Sequence, residues 1–454
     1  MTSRWAVWRA DVARIVPIAW PVFVGQLAVL LFTTIDTVLV GRYAASDLAA
    51  FSVGSAAYVT VFIGLMGVVL AVGPIAGQLF GAQRFEAAGD QLHQSMWIAL
   101  GMALVGSLLL AFPAPFLWLA QASPEMAAKV RGYLMALALA LPASLLFTAY
   151  RGFNIAVSRP KAVMVLQLGG LALKLPLSAL LVFGAGPLPA LGVTGCGIAT
   201  AIAMWAQVLV ACLVLRRDPF YRRFHIAGRG LVGPDWRAIG AQLRLGVPMG
   251  LSVAIEVTGF VFMAFFIARV SETAVAGHQV ATNVVATLFM VSMALANGTS
   301  TLVAQRIGAG DLGDAQRLGW HGLEFTALVA LVLGCTVFVL RGPIAELYTR
   351  DAAVIAAALP LLAWVTLFHL CDAVQITAAF VLRAWRVATV PVLIYAGAVW
   401  GIGLGGGWVL GFNATGTVPP SIQGAPGYWL ASTAGLATAG IALSVFLRWF
   451  TSRR

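Results

Sequence analysis

The chain has 454 residues, of which 61% are hydrophobic and 10% are charged, and its mean hydropathy is +0.94. Soluble domains are roughly 45–50% apolar and about 25% charged, so this composition excludes a soluble protein and is typical of a polytopic helical membrane protein. The formal net charge of +12 would indicate nucleic-acid binding in a soluble chain. In a membrane protein basic residues report topology instead, so we expect no nucleic-acid partner.

Long apolar runs, separated by charged residues or by Gly and Pro clusters, predict the membrane spans. A helical span needs about 20 mainly apolar residues. We expect the first run to be a span and not a removable signal, because many similar runs follow it. The sequence therefore predicts an all-α polytopic membrane fold with twelve transmembrane helices. The runs cover residues 15–40, 48–80, 93–117, 132–157, 162–184, 190–215, 243–268, 274–304, 319–340, 352–382, 388–411 and 426–447.

Basic residues are divided unequally between the two sides of the predicted bundle. If both termini are cytoplasmic, 21 of the 28 Lys and Arg residues lie on the cytoplasmic side, six lie on the other side, and Lys174 lies within a span. Cytoplasmic loops of membrane proteins carry an excess of Lys and Arg. We therefore expect a multi-pass protein of the bacterial cytoplasmic (inner) membrane with both termini in the cytoplasm.

An internal repeat divides the chain into halves. The polar stretch 216–244 leaves six spans on each side and is interpreted as a linker. The prediction is two six-helix lobes related by a pseudo-twofold repeat: an N-terminal lobe 1–217, a cytoplasmic linker 218–242 and a C-terminal lobe 243–454. Parallel repeats around a substrate site near the bilayer midplane are a recurring transporter plan. One constant shift of the chain against itself aligns, among others, Pro21 with Pro248, Gln78 with Gln305, and Gly81 with Gly308.

Three acidic residues lie deep within apolar runs: Asp36, Glu256 and Asp372. A charged side chain near the bilayer centre costs about 2.5–3.5 kcal/mol, so it normally faces a protein interior or a water-filled path. The structural alternatives are a boundary pair between Asp36 and Arg42, and satisfied interhelical hydrogen bonds for the other two acids. We predict that all three are cation- or proton-coupling residues. Two carboxyl groups in low-dielectric surroundings can share a proton or hold a hard cation, so Glu256 and Asp372 are expected to approach each other and to bind sodium if sodium is the coupling ion.

Further polar residues support these acids. His369, Asp372 and Gln375 recur every three residues and therefore line one face of a helix. Lys174 lies in the middle of an apolar run, where a lysine needs a carboxylate unless it can reach the headgroup region. Asp36 is the one deep acid in the first lobe. The sequence therefore predicts an ion pair between Lys174 and Asp36.

Aromatic and methionine side chains at helical spacing are candidates for a substrate cavity, although most such side chains pack a core. Adaptable methionines and aromatic faces suit a flat, lipophilic, often cationic ligand. No phosphate-binding loop, metal-binding His/Cys cluster, nucleophile elbow or dinucleotide fingerprint occurs in the sequence, so it predicts neither an enzyme nor a cofactor. The cavity candidates are Tyr58, Phe260, Met290, Met293, Asn297 and Phe368.

Motifs over almost the whole chain resemble those of the multidrug and toxic compound extrusion family, specifically its NorM-like branch. The resemblance implies sodium- or proton-driven export of organic cations, with Glu256 and Asp372 in a second-lobe cation site and Asp36 in the first lobe. Where such proteins often carry two asparagines in span five, this chain has Lys174 and Ser178, which weighs against a first-lobe sodium site. The motifs are Pro21, 35–41, 78–81, 150–154, 192–200, Glu256, 305–308, Asp372 and Leu382-Arg383.

The expected function is therefore that of a secondary antiporter. It would act as a monomer among membrane lipids and export amphipathic, mainly cationic drugs in exchange for H⁺ or Na⁺ by alternating access. The alternative is a flippase for a lipid-linked glycan or polymer precursor, which could use a similar two-lobe frame. A flippase needs a cationic cavity to meet pyrophosphate, whereas the deep charges here are three acids and one lysine. A channel or an intramembrane enzyme is less favoured, because the sequence contains no filter-like loop and no catalytic constellation.

Overall fold

The computed structural model describes residues 4–119, 123–226, 230 and 232–453, and this part of the chain is almost entirely helical. Short 3₁₀ turns cover Pro219–Phe224 and Pro420–Ile422, and a π-helical segment covers Ala396–Gly405. The α-helices are α1 (Arg4–Tyr43), α2 (Ala45–Val69), α3 (Val72–Gly81), α4 (Phe85–Ala111), α5 (Ala114–Leu119), α6 (Pro124–Ala156), α7 (Pro160–Phe183), α8 (Gly192–Arg217), α9 (Trp236–Ala268), α10 (Glu272–Gly308), α11 (Leu312–Tyr348), α12 (Ala352–Ala384), α13 (Thr389–Tyr395), α14 (Gly406–Gly411) and α15 (Ala425–Thr451).

Twelve helical segments of the described residues are long and apolar enough to cross a membrane. The second segment combines α2 with α3, and the eleventh runs from α13 through the π-helical segment to α14. Each predicted apolar run overlaps one of these segments, so the twelve-span prediction is confirmed, although the run 93–117 continues past the end of α4 at Ala111. The helices are longer than the runs because polar end turns continue the backbone hydrogen bonding; α1, for example, begins at Arg4 rather than near residue 15.

Capping side chains set the start of several spans. The Ser271 hydroxyl accepts a hydrogen bond from the Ala274 amide at 3.0 Å at the start of α10. Asp351 Oδ1 accepts one from the Ala353 amide at 2.8 Å at the start of α12. The first turn of a helix has backbone N–H groups without partners, and Ser or Asp supplies the missing acceptor. These helices therefore begin where the sequence offers a cap.

The helices form two compact units whose limits differ from the ends of the predicted lobes. One unit is Val24–Gly250, and the other combines the residues up to Phe23 with those from Leu251 onward. Helices α1 and α9 therefore each begin in one unit and continue in the other. The two switch points are related by the same shift that aligns Pro21 with Pro248, so they occupy equivalent positions in the internal repeat. The lobe limits 1–217 and 243–454 and the linker 218–242 stay predictions.

Each unit is built around the fourth span of its half of the chain. In the Val24–Gly250 unit, α6 packs against α2, α4 and α8, and Phe153 is fully buried in this core. In the other unit, α12 packs against α10, α11 and α15, with Phe368 and Trp429 in the core. The two central helices occupy equivalent places in the two halves, which agrees with the predicted repeat.

An ionic cluster holds the first half of α1 against α11 within their unit. His321 Nδ1 lies 2.7 Å from Asp11 Oδ2. Arg317 Nε lies 3.1 Å from the same oxygen. Arg14 Nη2 lies 3.2 Å from Asp314 Oδ2. Asp11 is buried while Arg317 is partly exposed. The carboxylate of Asp11 is therefore desolvated, and the neighbouring cations offset the cost of burying its charge.

The first half of α9 is held by close backbone packing instead. A Cβ atom at Gly67 would lie 2.5 Å from Gly250 Cα, so α2 and α9 can approach this closely because both positions are glycine. Gln242 Nε2 also donates a hydrogen bond to the Gln91 carbonyl at 2.8 Å. The two repeat-related half-helices are thus anchored by different chemistry, charge in α1 and backbone contact in α9.

Candidate functional site

The acid of the Val24–Gly250 unit forms a buried ion pair. Lys174 Nζ donates to Asp36 Oδ2 at 2.6 Å, and the two side chains are 4% and 5% exposed. Ser178 Oγ donates to the other carboxylate oxygen, Oδ1, at 3.4 Å. The Lys174 ammonium also lies 4.7 Å from the centroid of the Phe32 ring. The structure therefore brings Asp36 together with Lys174, as the sequence predicts, and also with Ser178 of the same helix.

Helical spacing explains this arrangement. Phe32 precedes Asp36 by one turn of α1, and Lys174 precedes Ser178 by one turn of α7, so each pair presents one face. A buried charge is costly unless it is paired and hydrogen-bonded. The need for this pairing determines which faces of α1 and α7 pack against each other. Cys196 on α8 also interacts electrostatically with Asp36, which the sequence does not predict.

The second unit contains the two other acids. Glu256 on α9 is partly exposed, whereas Asp372 on α12 is buried. The two carboxyl groups lie close enough to interact electrostatically. Asp372 Oδ1 accepts a hydrogen bond from Gln375 Nε2 at 3.0 Å. Gln375 Oε1 in turn accepts one from the Tyr395 hydroxyl. Both acids therefore lie in one unit within range of an electrostatic interaction, and their role in ion coupling stays a prediction.

Sequence reasoning missed Tyr395, and it noted Arg383 as part of a family motif without giving it a role in the site. Tyr395 ends α13 in an apolar span, where no periodic signal marks a single phenol. Arg383, three turns after Asp372 on α12, interacts electrostatically with Glu256 and Tyr395. The charge-counting argument assigns Arg383 to the cytoplasmic face, because arginines at span ends normally report topology. The signal that could have identified it is the internal repeat, which places it near Arg151 of the first half.

The predicted polar stripe on α12 is buried along its whole length. His369 and Gln375 are fully buried, as is most of Asp372. Both ring nitrogens of His369 lack a hydrogen-bond partner among the described residues. His369 thus shares a helix face with Asp372 but does not join its hydrogen-bond chain.

The structure brings two of the predicted cavity residues together. The rings of Phe260 and Phe368 meet edge to face with centroids 5.9 Å apart, in the unit that contains Glu256. A single cavity lined by all six candidates stays a prediction. Of the other four, Tyr58 lies on α2, and Met290, Met293 and Asn297 lie on α10.

The oxygen atoms around the two acids suit a hard monovalent cation as well as a proton. Carboxylate, amide and phenol oxygens come from Glu256, Asp372, Gln375 and Tyr395. Hard cations prefer such oxygen ligands. Within the described residues there is no cluster of three or more His, Cys, Asp or Glu side chains that could hold a metal ion. Any sodium site here would therefore need further oxygen ligands beside the two carboxylates.

Twelve spans in two repeat-related units, each with a buried acid, form the architecture of a two-lobe membrane transporter. The MatE family profile matches the chain twice, at residues 21–180 and 248–409, and the two matches begin at the aligned prolines Pro21 and Pro248. The chain belongs to the MatE family.

Individual relatives agree with this assignment. The chain is 38% identical over 431 residues to the probable multidrug resistance protein NorM of Aromatoleum aromaticum, covering 95% of this chain and 92% of the relative. It is 32% identical to the multidrug resistance protein PmpM of Pseudomonas aeruginosa, covering 97% and 91%. The crystal structure of the eukaryotic MATE transporter AtDTX14 superposes with a TM-score of 0.86 at 18% identity, covering 97% of this chain and 96% of that one. The last similarity supports the fold.

Proposed function

We propose that this protein is a secondary antiporter that exports amphipathic, mainly cationic drugs in exchange for protons or sodium. The observation that carries the proposal is the proximity of Glu256 and Asp372 inside a membrane-spanning unit of a MatE chain. The multidrug resistance proteins among its relatives support the substrate class. We expect the monomer to be the transporting form, with membrane lipids as its surroundings.

The carboxyl pair supplies what antiport requires. A coupling ion can shift a conformational equilibrium only by its difference in affinity for the two states. A proton or a sodium ion on Glu256 or Asp372 removes the repulsion between the two carboxylates, whereas the empty pair attracts an organic cation. Glu256, as the more exposed acid, is the one that a ligand reaches first. Ion and drug then favour different states of the unit and exchange for each other.

The charge inventory does not favour a flippase. Asp36 and Lys174 neutralise each other in one unit. In the other unit two acids, Glu256 and Asp372, face one cation, Arg383. A pyrophosphate headgroup is recognised by several cationic side chains. The charges around Glu256 and Asp372 therefore suit a cationic substrate.

The proposed orientation places both termini in the cytoplasm of a bacterium, with the stretch 216–244 on the same side. Arg222 and Ser421 are both exposed and lie in connections predicted to be on opposite sides. In a background with the exposed Cys212 and Cys335 replaced by alanine, a membrane-impermeant maleimide is expected to label Ser421→Cys in intact cells. Arg222→Cys should react with the maleimide only after the cells have been permeabilised. Equal labelling of both positions in intact cells would reject this orientation.

Transport by reconstituted protein tests the function. A fluorescent organic cation is expected to accumulate in proteoliposomes when a pH gradient or a sodium gradient is imposed, and to stay at the level of protein-free vesicles without a gradient. Imposing the two gradients separately identifies the coupling ion. Failure of both gradients to drive the cation, together with translocation of a lipid-linked pyrophosphate, would replace the antiporter by a flippase.

A further inference from the structure

A chain of two hydrogen bonds connects the eleventh span to the buried acid of α12. The Tyr395 hydroxyl donates to Gln375 Oε1. Gln375 Nε2 donates to Asp372 Oδ1 at 3.0 Å. The three residues are 2%, 0% and 4% exposed, so water does not compete for these bonds. A carboxamide has an acceptor at one end and a donor at the other, which gives the chain a direction.

That direction depends on the protonation of Asp372. An ionised carboxylate only accepts, so it requires the amide N–H of Gln375 and leaves the amide oxygen to Tyr395. A protonated carboxyl group has an O–H to donate, and a half-turn of the amide presents its oxygen to that proton. The amide N–H then donates to the phenol oxygen. Both orientations of the amide have the same shape, so the surrounding core need not repack.

In the second orientation the Tyr395 proton is free to bond elsewhere, and the candidate acceptor is Glu256. Tyr395 interacts electrostatically with both Glu256 and Asp372. The eleventh span also contacts α9 directly, because Trp400 Nε1 donates to the Ile255 carbonyl at 3.2 Å. Tyr395 immediately precedes the π-helical segment that carries Trp400, and π-helical segments occur frequently at functional sites.

We propose that Gln375 and Tyr395 form a hydrogen-bond relay: protonation of Asp372 turns the Gln375 amide over and frees the Tyr395 hydroxyl to donate to Glu256. One proton enters at Asp372 and none leaves, since every other change is an exchange of hydrogen-bond partners. Tyr395 is then a positioning residue: protonation of Asp372 determines whether its hydroxyl donates a hydrogen bond to Glu256. The inference rests on the proposed antiport and adds that protons are a coupling ion.

The relay distinguishes protons from sodium. A sodium ion at Asp372 cannot donate a hydrogen bond, so the amide keeps its first orientation and Tyr395 stays bound to Gln375. Sodium binding therefore leaves Glu256 without the phenol. The titratable and charged groups near Asp372 that could modify this response are Glu256 on α9, Tyr395 in the eleventh span, and His369, Cys371 and Arg383 on α12 itself.

The test compares Tyr395→Phe with Tyr428→Phe in proteoliposomes. Tyr428 lies in the same unit, is fully buried, and its hydroxyl has no hydrogen-bond partner among the described residues. Without the phenol, the ionised state loses one hydrogen bond, from Tyr395 to Gln375, whereas the protonated state loses two, from Gln375 to Tyr395 and from Tyr395 to Glu256. The pH of half-maximal proton-driven export should therefore move downward by roughly one unit in Tyr395→Phe, equivalent to about a tenfold loss of proton affinity. Tyr428→Phe should keep the wild-type profile.

A second variant keeps the test conclusive if Tyr395→Phe folds poorly. Gln375→Met keeps the length of the side chain but removes the amide, and it should also shift the pH profile, with no additional shift when Tyr395→Phe is combined with it. A wild-type pH profile in Tyr395→Phe, or additive shifts in the double variant, would overturn the relay while leaving the antiporter intact. Export driven by sodium alone in the wild-type protein would also overturn it. Absence of any gradient-driven export would instead reject the antiport itself.

Discussion

Replacing Glu256 or Asp372 by its amide, as in Glu256→Gln or Asp372→Asn, is expected to reduce gradient-driven export to the level of protein-free vesicles. Each amide keeps the size of the side chain but can neither take up a proton nor offer a charge to a cation. The two acids interact electrostatically inside one unit, so removing either charge changes the affinity of the remaining acid as well. The loss should appear in the initial rate of cation accumulation at equal protein content.

The matched control for these variants is Glu346→Gln, the same chemical change at an exposed position of α11 in the same unit. It is expected to transport at the wild-type rate. All three variants should keep a cooperative thermal transition close to that of the unchanged protein, which separates loss of transport from loss of folding. Wild-type rates in both Glu256→Gln and Asp372→Asn would remove these acids from the coupling mechanism.

Asp36→Asn is expected to destabilise the protein by about 3–5 kcal/mol, because it leaves the buried Lys174 without its counter-ion. Two unit charges at about 4 Å attract by roughly 4 kcal/mol at an effective dielectric constant near 20, which is comparable to the cost of burying them. The double variant Asp36→Asn/Lys174→Met removes both charges and should therefore lose less stability than the sum of the single variants. Thermal and denaturant unfolding in detergent measure the interaction energy of this cycle.

The pair Lys129–Asp47 provides the comparison for this cycle. Its atoms lie 2.7 Å apart in the same unit, but the lysine side chain is 28% exposed. Solvent screening should therefore make its interaction energy smaller than that of Lys174–Asp36. An interaction energy below about 0.5 kcal/mol for Lys174–Asp36 would show that the two residues act independently. A strong pair also favours protons at Asp36, since an ammonium already occupies the carboxylate and leaves sodium little advantage there.

The features that the sequence predicts well are those that the bilayer itself imposes. A helix that crosses hydrocarbon needs a long apolar run, so the twelve spans are visible in the hydropathy alone. A lysine in such a run needs a carboxylate, and with one deep acid in the first half the choice of Asp36 for Lys174 follows by necessity. The spacing of the internal repeat likewise appears in the sequence, in the family matches and in the switch points of α1 and α9.

The contacts that the sequence does not predict are those chosen by tertiary packing. Tyr395 stands alone in an apolar span, and its bond to Gln375 depends on how the eleventh span lies against α12. Arg383 is ambiguous because arginines at span ends occur both as topological signals and as internal counter-ions. The ionic cluster around Asp11 joins it to His321, far along the chain on α11, a separation over which local patterns carry no information.

The change of unit within α1 and α9 has a consequence for dividing the chain. A cut in the stretch 216–244 gives two fragments, and neither contains a complete unit. The first fragment carries the residues up to Phe23, which belong to the unit of the second, while the second carries 236–250, which belong to the unit of the first. Each half of the chain thus contributes a half-helix to the unit of the other half, as the two chains of a domain-swapped dimer do. Half-chains produced separately should consequently fold only in each other's presence, and an ancestral half-length protein with this topology would have found its missing half-helix in a second copy of itself.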